Sequence, residues 1–208
     1  YFKLQNNDRI ARRYYKEILS RAHDPSYHSE ALIGLAELNA DGIKEQQIQA
    51  LKLLGQALEN TRELSLKERA LYLLTSIHAN LGDHEKAIDS ARAYLDQEEF
   101  RRYKTVCRMI LAKSYQASGQ TEKALLTYQQ VFMSSGIPNR YLAPAIQNWM
   151  ELLWERNDNA GSKSDRQIAY EGGNKFIKMT TQAIRKASPT EQARWEKISE
   201  LVESYEAS

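Results

Sequence analysis

The chain has 208 residues, 42% hydrophobic and 27% charged, enough for one substantial core or for several small repeats sharing one. With 29 Lys+Arg against 27 Asp+Glu its net charge is only +2, too small for the broad positive field of nonspecific nucleic-acid binding, so no nucleic-acid partner is expected. A lone cysteine, Cys107, excludes an intrachain disulfide and a cysteine-based zinc site.

No apolar run approaches the roughly 20 residues needed to cross a bilayer, so no membrane span is expected in this segment. The chain opens at Tyr1 without a Met and directly in amphipathic sequence. It reads as a piece of a longer protein, which leaves the compartment open between cytoplasm and periplasm.

Four prolines and nine glycines leave long breaker-free stretches, and these read as helices. From about Asn6 to Ala22, Ile10, Ala11, Tyr14, Tyr15, Ile18 and Leu19 follow the i, i+3, i+4, i+7 spacing of an amphipathic helix. Asp24-Pro25 ends it, and Ser26 is expected to cap a second helix through Ala31, Leu32, Leu35, Ala36 and Leu38 up to Asp41-Gly42. A third carries Ile48, Ala50, Leu51, Leu54, Ala57 and Leu58. Ser65-Leu-Lys-Glu68 has the spacing of a capping box and is expected to start the fourth, with Leu71, Leu74, Ile77 and His78. Gly82 ends that helix, and a fifth carries Ala87, Ile88, Ala91, Tyr94 and Leu95.

The next two helices repeat this plan. Gly82-Asp-His-Glu-Lys-Ala87 returns as Gly119-Gln-Thr-Glu-Lys-Ala124, 37 residues later, and Leu111, Tyr128, Val131 and Phe132 keep the same offset from Leu74, Ala91, Tyr94 and Leu95. A period of this size marks helix hairpins stacked side by side. The small residues Ala87, Ala112 and Ala124 allow antiparallel helices to approach. Pro138 opens an eighth helix, about Asn139 to Arg156, followed by a polar loop from Asn157 to Ser164. A ninth helix contains Gly172-Gly173, which permit a close helix contact or a kink. Ser188-Pro-Thr-Glu191 combines an N-cap, a first-position proline and a capping-box glutamate at the start of the last helix. The expected fold is all-α: a solenoid of stacked antiparallel hairpins with about ten helices in one domain, regular over about residues 8–138 and divergent, with a capping end, over 139–208.

On these residues the chain resembles the tetratricopeptide repeat family. Leu71, Leu74, Thr75, His78, Gly82, Ala87, Ala91 and Tyr94 fill that family's hairpin pattern in order. Leu111, Ala112, Tyr115, Gly119, Ala124, Tyr128 and Val131 do so again, with Arg108 where a large apolar residue is usual. Leu32, Leu35, Ala36, Asn39, Ala50, Leu54 and Ala57 fit with two extra residues in the turn. The resemblance implies a right-handed stack whose first helices line a concave groove. It places in that groove Glu30, Ile33, Glu37 and Asp41, then Arg69, Tyr72, Ser76 and Asn80, then Val106, Met109, Lys113 and Gln116. Tyr72 and Met109 are the expected apolar anchors, flanked by Arg69, Asn80 and Lys113. Family members that clamp a chaperone's C-terminal carboxylate use Lys, Asn and Arg where this chain has Ile33, Glu37, Leu73, Val106 and Ile110, so that ligand is not expected.

A catalytic constellation is not found in the sequence. His23 and His28 straddle Pro25, which removes helical i, i+4 metal geometry, and His78 and His84 read as packing and solvated positions. No phosphate loop, nucleophile elbow or HExxH helix occurs. Cys107 lies among Val106, Met109 and Ile110 and reads as a packed thiol, and the cluster Arg101, Arg102, Lys104 and Arg108 as a solvated helix start. The expected function is therefore a non-catalytic interaction scaffold, without cofactor or metal, that holds a protein or peptide partner in the groove. The alternatives are homo-oligomeric self-assembly through the divergent helices bearing Trp149, Trp154 and Trp195, and a regulatory domain of a larger enzyme.

Overall fold

The breaker-free stretches fold as helices closed by glycines and polar caps. The computed structural model describes residues 8–21, 25–133, 140–158, 161, 163–184 and 188–206. Among these there are ten α-helices and no strand: α1 (Asp8–Arg21), α2 (Pro25–Ala40), α3 (Lys44–Asn60), α4 (Leu64–Asn80), α5 (His84–Leu95), α6 (Lys104–Ala117), α7 (Thr121–Met133), α8 (Leu142–Arg156), α9 (Asp165–Ile184) and α10 (Pro189–Glu206). The chain forms two compact units, Tyr1–Ser114 and Tyr115–Ser208, the division falling within α6.

In the first unit, α1 to α4 each pack on the next helix in sequence, and α2 also packs on α4. This is the order of a helical solenoid. Its core holds Ile33, Ala36, Ala50, Leu54, Ala57, Ala70 and Ile77, all at 0% exposure. The four alanines let the helix backbones come close, while each buried Leu or Ile contributes about 1.5–3 kcal/mol by leaving water. Ala87, Ala112 and Ala124 are likewise fully buried.

The repeated Gly string is a repeated turn geometry. Gly82 has φ 74° and Gly119 φ 70°, a left-handed conformation that glycine adopts without steric cost. After α4, the amides of Gly82 and Asp83 donate to Ala79 O and His78 O at 3.1 and 3.0 Å. After α6, those of Gly119 and Gln120 donate to Gln116 O and Tyr115 O at 3.0 and 2.9 Å. Both ends are the same Schellman closure, which satisfies carbonyls the last helical turn leaves unpaired. The following residues also correspond: Lys86 Nζ meets Asp83 at 2.7 Å, and Lys123 Nζ meets Gln120 at 2.8 Å.

Two expected starts are corrected. Pro25 is itself the first residue of α2, where its fixed φ suits a helix and its missing amide is not needed, so the helix begins one residue before Ser26. Likewise, α4 begins at Leu64 with Glu63 at the cap, so Ser65 is already helical and its hydroxyl donates to the Glu63 carboxylate. Glu68 is released from capping. Its Oε1 accepts from Tyr94 Oη at 2.6 Å and from the amides of Arg101 and Arg102, each at 2.7 Å, while Tyr94 Oη accepts from the Tyr103 amide at 2.9 Å. One carboxylate thus joins α4, α5 and the segment leading into α6. Burial pushes this carboxyl up, but the hydrogen bonds from Tyr94, Arg102 and Arg101 outweigh it and hold it below the ordinary glutamate range.

In the second unit α7, α8, α9 and α10 pack in sequence, with α10 also against α8. The α8 helix begins at Leu142, and Pro138 and Asn139 lie outside the described residues. Pro144 is its third residue, where an amide would have no intrahelical partner. Asn157, at φ 49°, closes α8, and Asp165 ties down the following loop. Its carboxylate accepts from Arg156 Nε and Nη2 at 2.6 Å each and from the Asp158 amide at 2.8 Å. At α10 the Ser188–Glu191 capping box forms in both directions, at 3.4 and 3.3 Å, with Pro189 as first helical residue. Gly172 and Gly173 mark a contact, not a break, since α9 runs on through them. A Cβ on Gly172 would lie 2.7 Å from the Trp149 ring, and one on Gly173 would lie 2.6 Å from Val202 Cγ2.

Gly172→Ala is therefore expected to lose about 1–3 kcal/mol by overpacking, although alanine is the better helix former. Gly55→Ala, inside α3 with nothing within 4 Å of the new Cβ, is expected to gain up to about 1 kcal/mol. Urea denaturation of the two variants against the parent chain gives opposite signs if packing, not backbone freedom, fixes Gly172.

Glu68→Gln is expected to cost about 1.5–3 kcal/mol at neutral pH, the range for hydrogen bonds to a charged group. Because the carboxyl pKa is depressed in the folded chain, this contribution is complete above the ordinary glutamate range and drains away as pH falls through it. The stability gap between parent and variant should narrow on acidification, read from denaturation midpoints at about pH 7 and about pH 3.5.

Candidate partner-binding surfaces

In the first unit, α4 carries Arg69, Tyr72, Ser76 and Asn80 at i, i+3, i+7 and i+11, one stripe of the helix. Because α2 packs on α4, Glu37 reaches Arg69: Nε donates to Oε1 at 2.6 Å, and Nη2 donates to Oε2. The pair is bidentate, with side chains 28% and 24% exposed. Tyr72 stacks face to face on Tyr103, just before α6, at 4.1 Å between centroids and 6° between planes. From α1, the Tyr15 ring lies over Gly34, where a Cβ would come within 2.3 Å of its Cζ. Burial pushes the Tyr15 hydroxyl pKa up, and the charges of Arg69, Glu37 and Glu30 all act on it. Tyr15, Glu37, Arg69, Tyr72 and Tyr103 therefore form a continuous polar and aromatic strip.

Several residues expected in the groove are placed elsewhere. Ile33 is fully buried in the core, and Met109 is 5% exposed, so neither offers a side chain to a partner and Met109 is no anchor. Residues 31–36 of α2 are buried on every side, so an apolar residue there joins the core whichever way it points. Gln116 belongs to the second unit, where its Oε1 accepts from the Tyr128 hydroxyl at 2.7 Å. Glu30, Asp41, Asn80 and Lys113 are exposed, and Ser76 and Val106 half-buried. The sequence reading missed Tyr15 and Tyr103. Gly34, a helical glycine with no turn beside it, is the one local sign of the ring above it.

Two titratable groups, Cys107 and His78, are enclosed by packing. Cys107 is fully buried, and burial pushes its thiol up to about 12, the reverse of an activated nucleophile. His78 is half-buried with its Nδ1 enclosed and unpartnered among the described residues, and burial lowers its pKa. Among the described residues no group of three or more His, Cys, Asp or Glu can hold a metal ion, and no helix is long and apolar enough to cross a membrane. His23 lies outside the described residues.

The second unit contains an open groove of about 570 Å³. Leu142, Ile146 and Trp149 of α8 form its floor, Phe132 and Met133 of α7 one wall, and Phe176 and Met179 of α9 the other, with Lys175 alongside. The tryptophans expected to mediate self-association are engaged within their own unit. Trp149, 9% exposed, meets the Phe132 ring at 5.4 Å, and Trp195, 6% exposed, stacks on Phe176 at 4.9 Å. Trp154 stacks on Tyr205 at 3.8 Å, and the Arg166 guanidinium lies 4.5 Å from the Trp154 ring centre.

Neither a protein-family model nor a curated protein matches this chain.

The Glu37–Arg69 pair is two-point and half-buried, so its coupling should exceed the range of exposed ion pairs. A double-mutant cycle with Glu37→Gln and Arg69→Met is expected to give about 1–2 kcal/mol of interaction energy from denaturation of the four proteins. A value below about 0.3 kcal/mol would mean that the strip is not held by this pair.

Proposed function

We propose that the chain is a non-catalytic interaction scaffold of the tetratricopeptide kind, holding a protein or peptide partner on the face made by α2, α4 and the start of α6. The observation that carries this reading is the strip itself. First helices of successive hairpins pack side by side, and their side chains are tied across the seam by Glu37–Arg69 and Tyr72–Tyr103. Such a surface is ordered before a partner arrives, which lowers the entropy lost on binding. Exposed Glu30, Asn80 and Lys113, with half-buried Ser76, supply adaptable polar contacts around it. The Schellman closures at Gly82 and Gly119 with their shared 37-residue interval support the family assignment. The non-catalytic reading draws on the engagement of Glu68, Asp165 and Cys107 in structure rather than in an accessible reacting site.

Site-specific photocrosslinking tests it. A crosslinker at Ser76, Asn80 or Lys113 should capture a defined partner in cells of the source organism. The same group at Lys52 of α3 or Asp89 of α5, both exposed on second helices, should not. Equal capture from both sets of positions, or capture from the second helices alone, defeats the assignment.

A further inference from the structure

The groove of the second unit lies outside the surface just described and is read independently of it. Its apolar character continues beyond the cavity. Leu126 and Met133 on α7 are 60% and 73% exposed, and Met179 on α9 is 74% exposed. Leu126 and Met133 are seven residues apart, two turns of one helix face and about 10 Å along α7. Opposite them, Gly172, Lys175, Phe176 and Met179 form one stripe of α9. A floor of aromatic and aliphatic side chains between walls ending in exposed methionines is the shape that receives one face of a helix, and flexible thioethers adapt to it.

The described lining of the groove carries charge of one sign. Among the described residues that line it Lys175 is the sole ionisable one, and Lys178 is exposed one turn further along α9. Among the described residues no ion pair engages either lysine. In a chain with a net charge of only +2, an apolar groove with Lys175 on its lining, Lys178 one turn further on and no carboxylate among its described lining residues is locally polarised. We infer that the groove docks an amphipathic helix of a partner protein, its apolar face on Trp149, Phe132 and the two methionines and its acidic flank toward Lys175. The groove supplies buried apolar area for affinity, and the lysines select the sign of the flank.

Fluorescence anisotropy on the whole 208-residue chain tests this with two labelled synthetic helices of about 15 residues. Both carry Leu at i, i+3, i+4 and i+7, one with Glu and the other with Lys at the flanking positions. The acidic helix is expected to bind at least about tenfold more tightly than the basic one, a difference that shrinks with added salt. Lys175→Glu should remove most of the preference, and Met179→Asn should weaken the acidic helix about tenfold. Both positions are exposed, and an unchanged circular dichroism melt confirms that the variants fold. Equal binding of the two helices, no binding of the acidic helix up to about 1 mM, or insensitivity to both variants overturns the inference. So does concentration-dependent dimerisation in sedimentation that Met179→Asn abolishes, because the occupant would then be a second copy of this chain.

Discussion

The arrangement of both units depends on how closely helix backbones approach one another. In the first unit that distance is set by alanines without exposure, Ala36, Ala50, Ala57 and Ala70. In the second, α9 needs glycine, since a single Cβ at Gly172 or Gly173 would strike Trp149, or Met150 and Val202. Interaxial distance follows the side chains at the crossing, so larger residues would move helices apart by one or two ångströms. Few other contacts here would survive that change. The two hydrogen bonds of Glu37–Arg69 and the stack of Tyr72 on Tyr103 at 4.1 Å require the first helices to be held at this spacing. The polar surface therefore follows from the apolar one.

Such a dependence explains what the sequence made legible. Helix order, the all-α class, the 37-residue interval and the capping box at Ser188 are local signals, written in apolar periodicity and in residues with special backbone preferences. The start of α4 is displaced because Glu63 and Ser65, two positions apart, both suit a cap, and local pattern does not rank them. The side chains joining helices were not legible at all. Glu37 and Arg69 are 32 positions apart, and Glu68 lies 26 to 34 positions from its three donors. The misplacement of Ile33 has a related cause. With residues 31–36 all buried, α2 has no polar face over its middle, and a face cannot be chosen from a pattern that lacks one.

Glu68 shows how a residue can carry the right signal for the wrong reason. Its spacing from Ser65 satisfies the capping-box pattern, yet the carboxylate meets three donors from other elements in place of one amide of its own helix. A charged acceptor gains more from several converging donors than from one exposed amide, and desolvation raises the penalty for leaving it unpaired. The tertiary use of Glu68 therefore displaces the local one. The connection between α5 and α6, which has no helix of its own, is held by that displacement.

The two candidate surfaces differ in what they offer energetically. The strip on α2 and α4 is internally satisfied: Arg69 has its carboxylate and Tyr72 its ring partner. A ligand that took either group would have to replace a bond already made, so such a surface gains most from shape and orientation, with exposed polar neighbours adding contacts. The groove on α7, α8 and α9 is the reverse case. Its methionines are about three-quarters exposed, and each can still leave water, a change worth about 1.5–3 kcal/mol per side chain when complete. Affinity is thus available where the charge pattern is simplest, and discrimination where the side chains are already paired. The two surfaces are built by different means: alanine-spaced helices tied by polar bonds in one unit, and a glycine-seated aromatic floor with open methionine walls in the other.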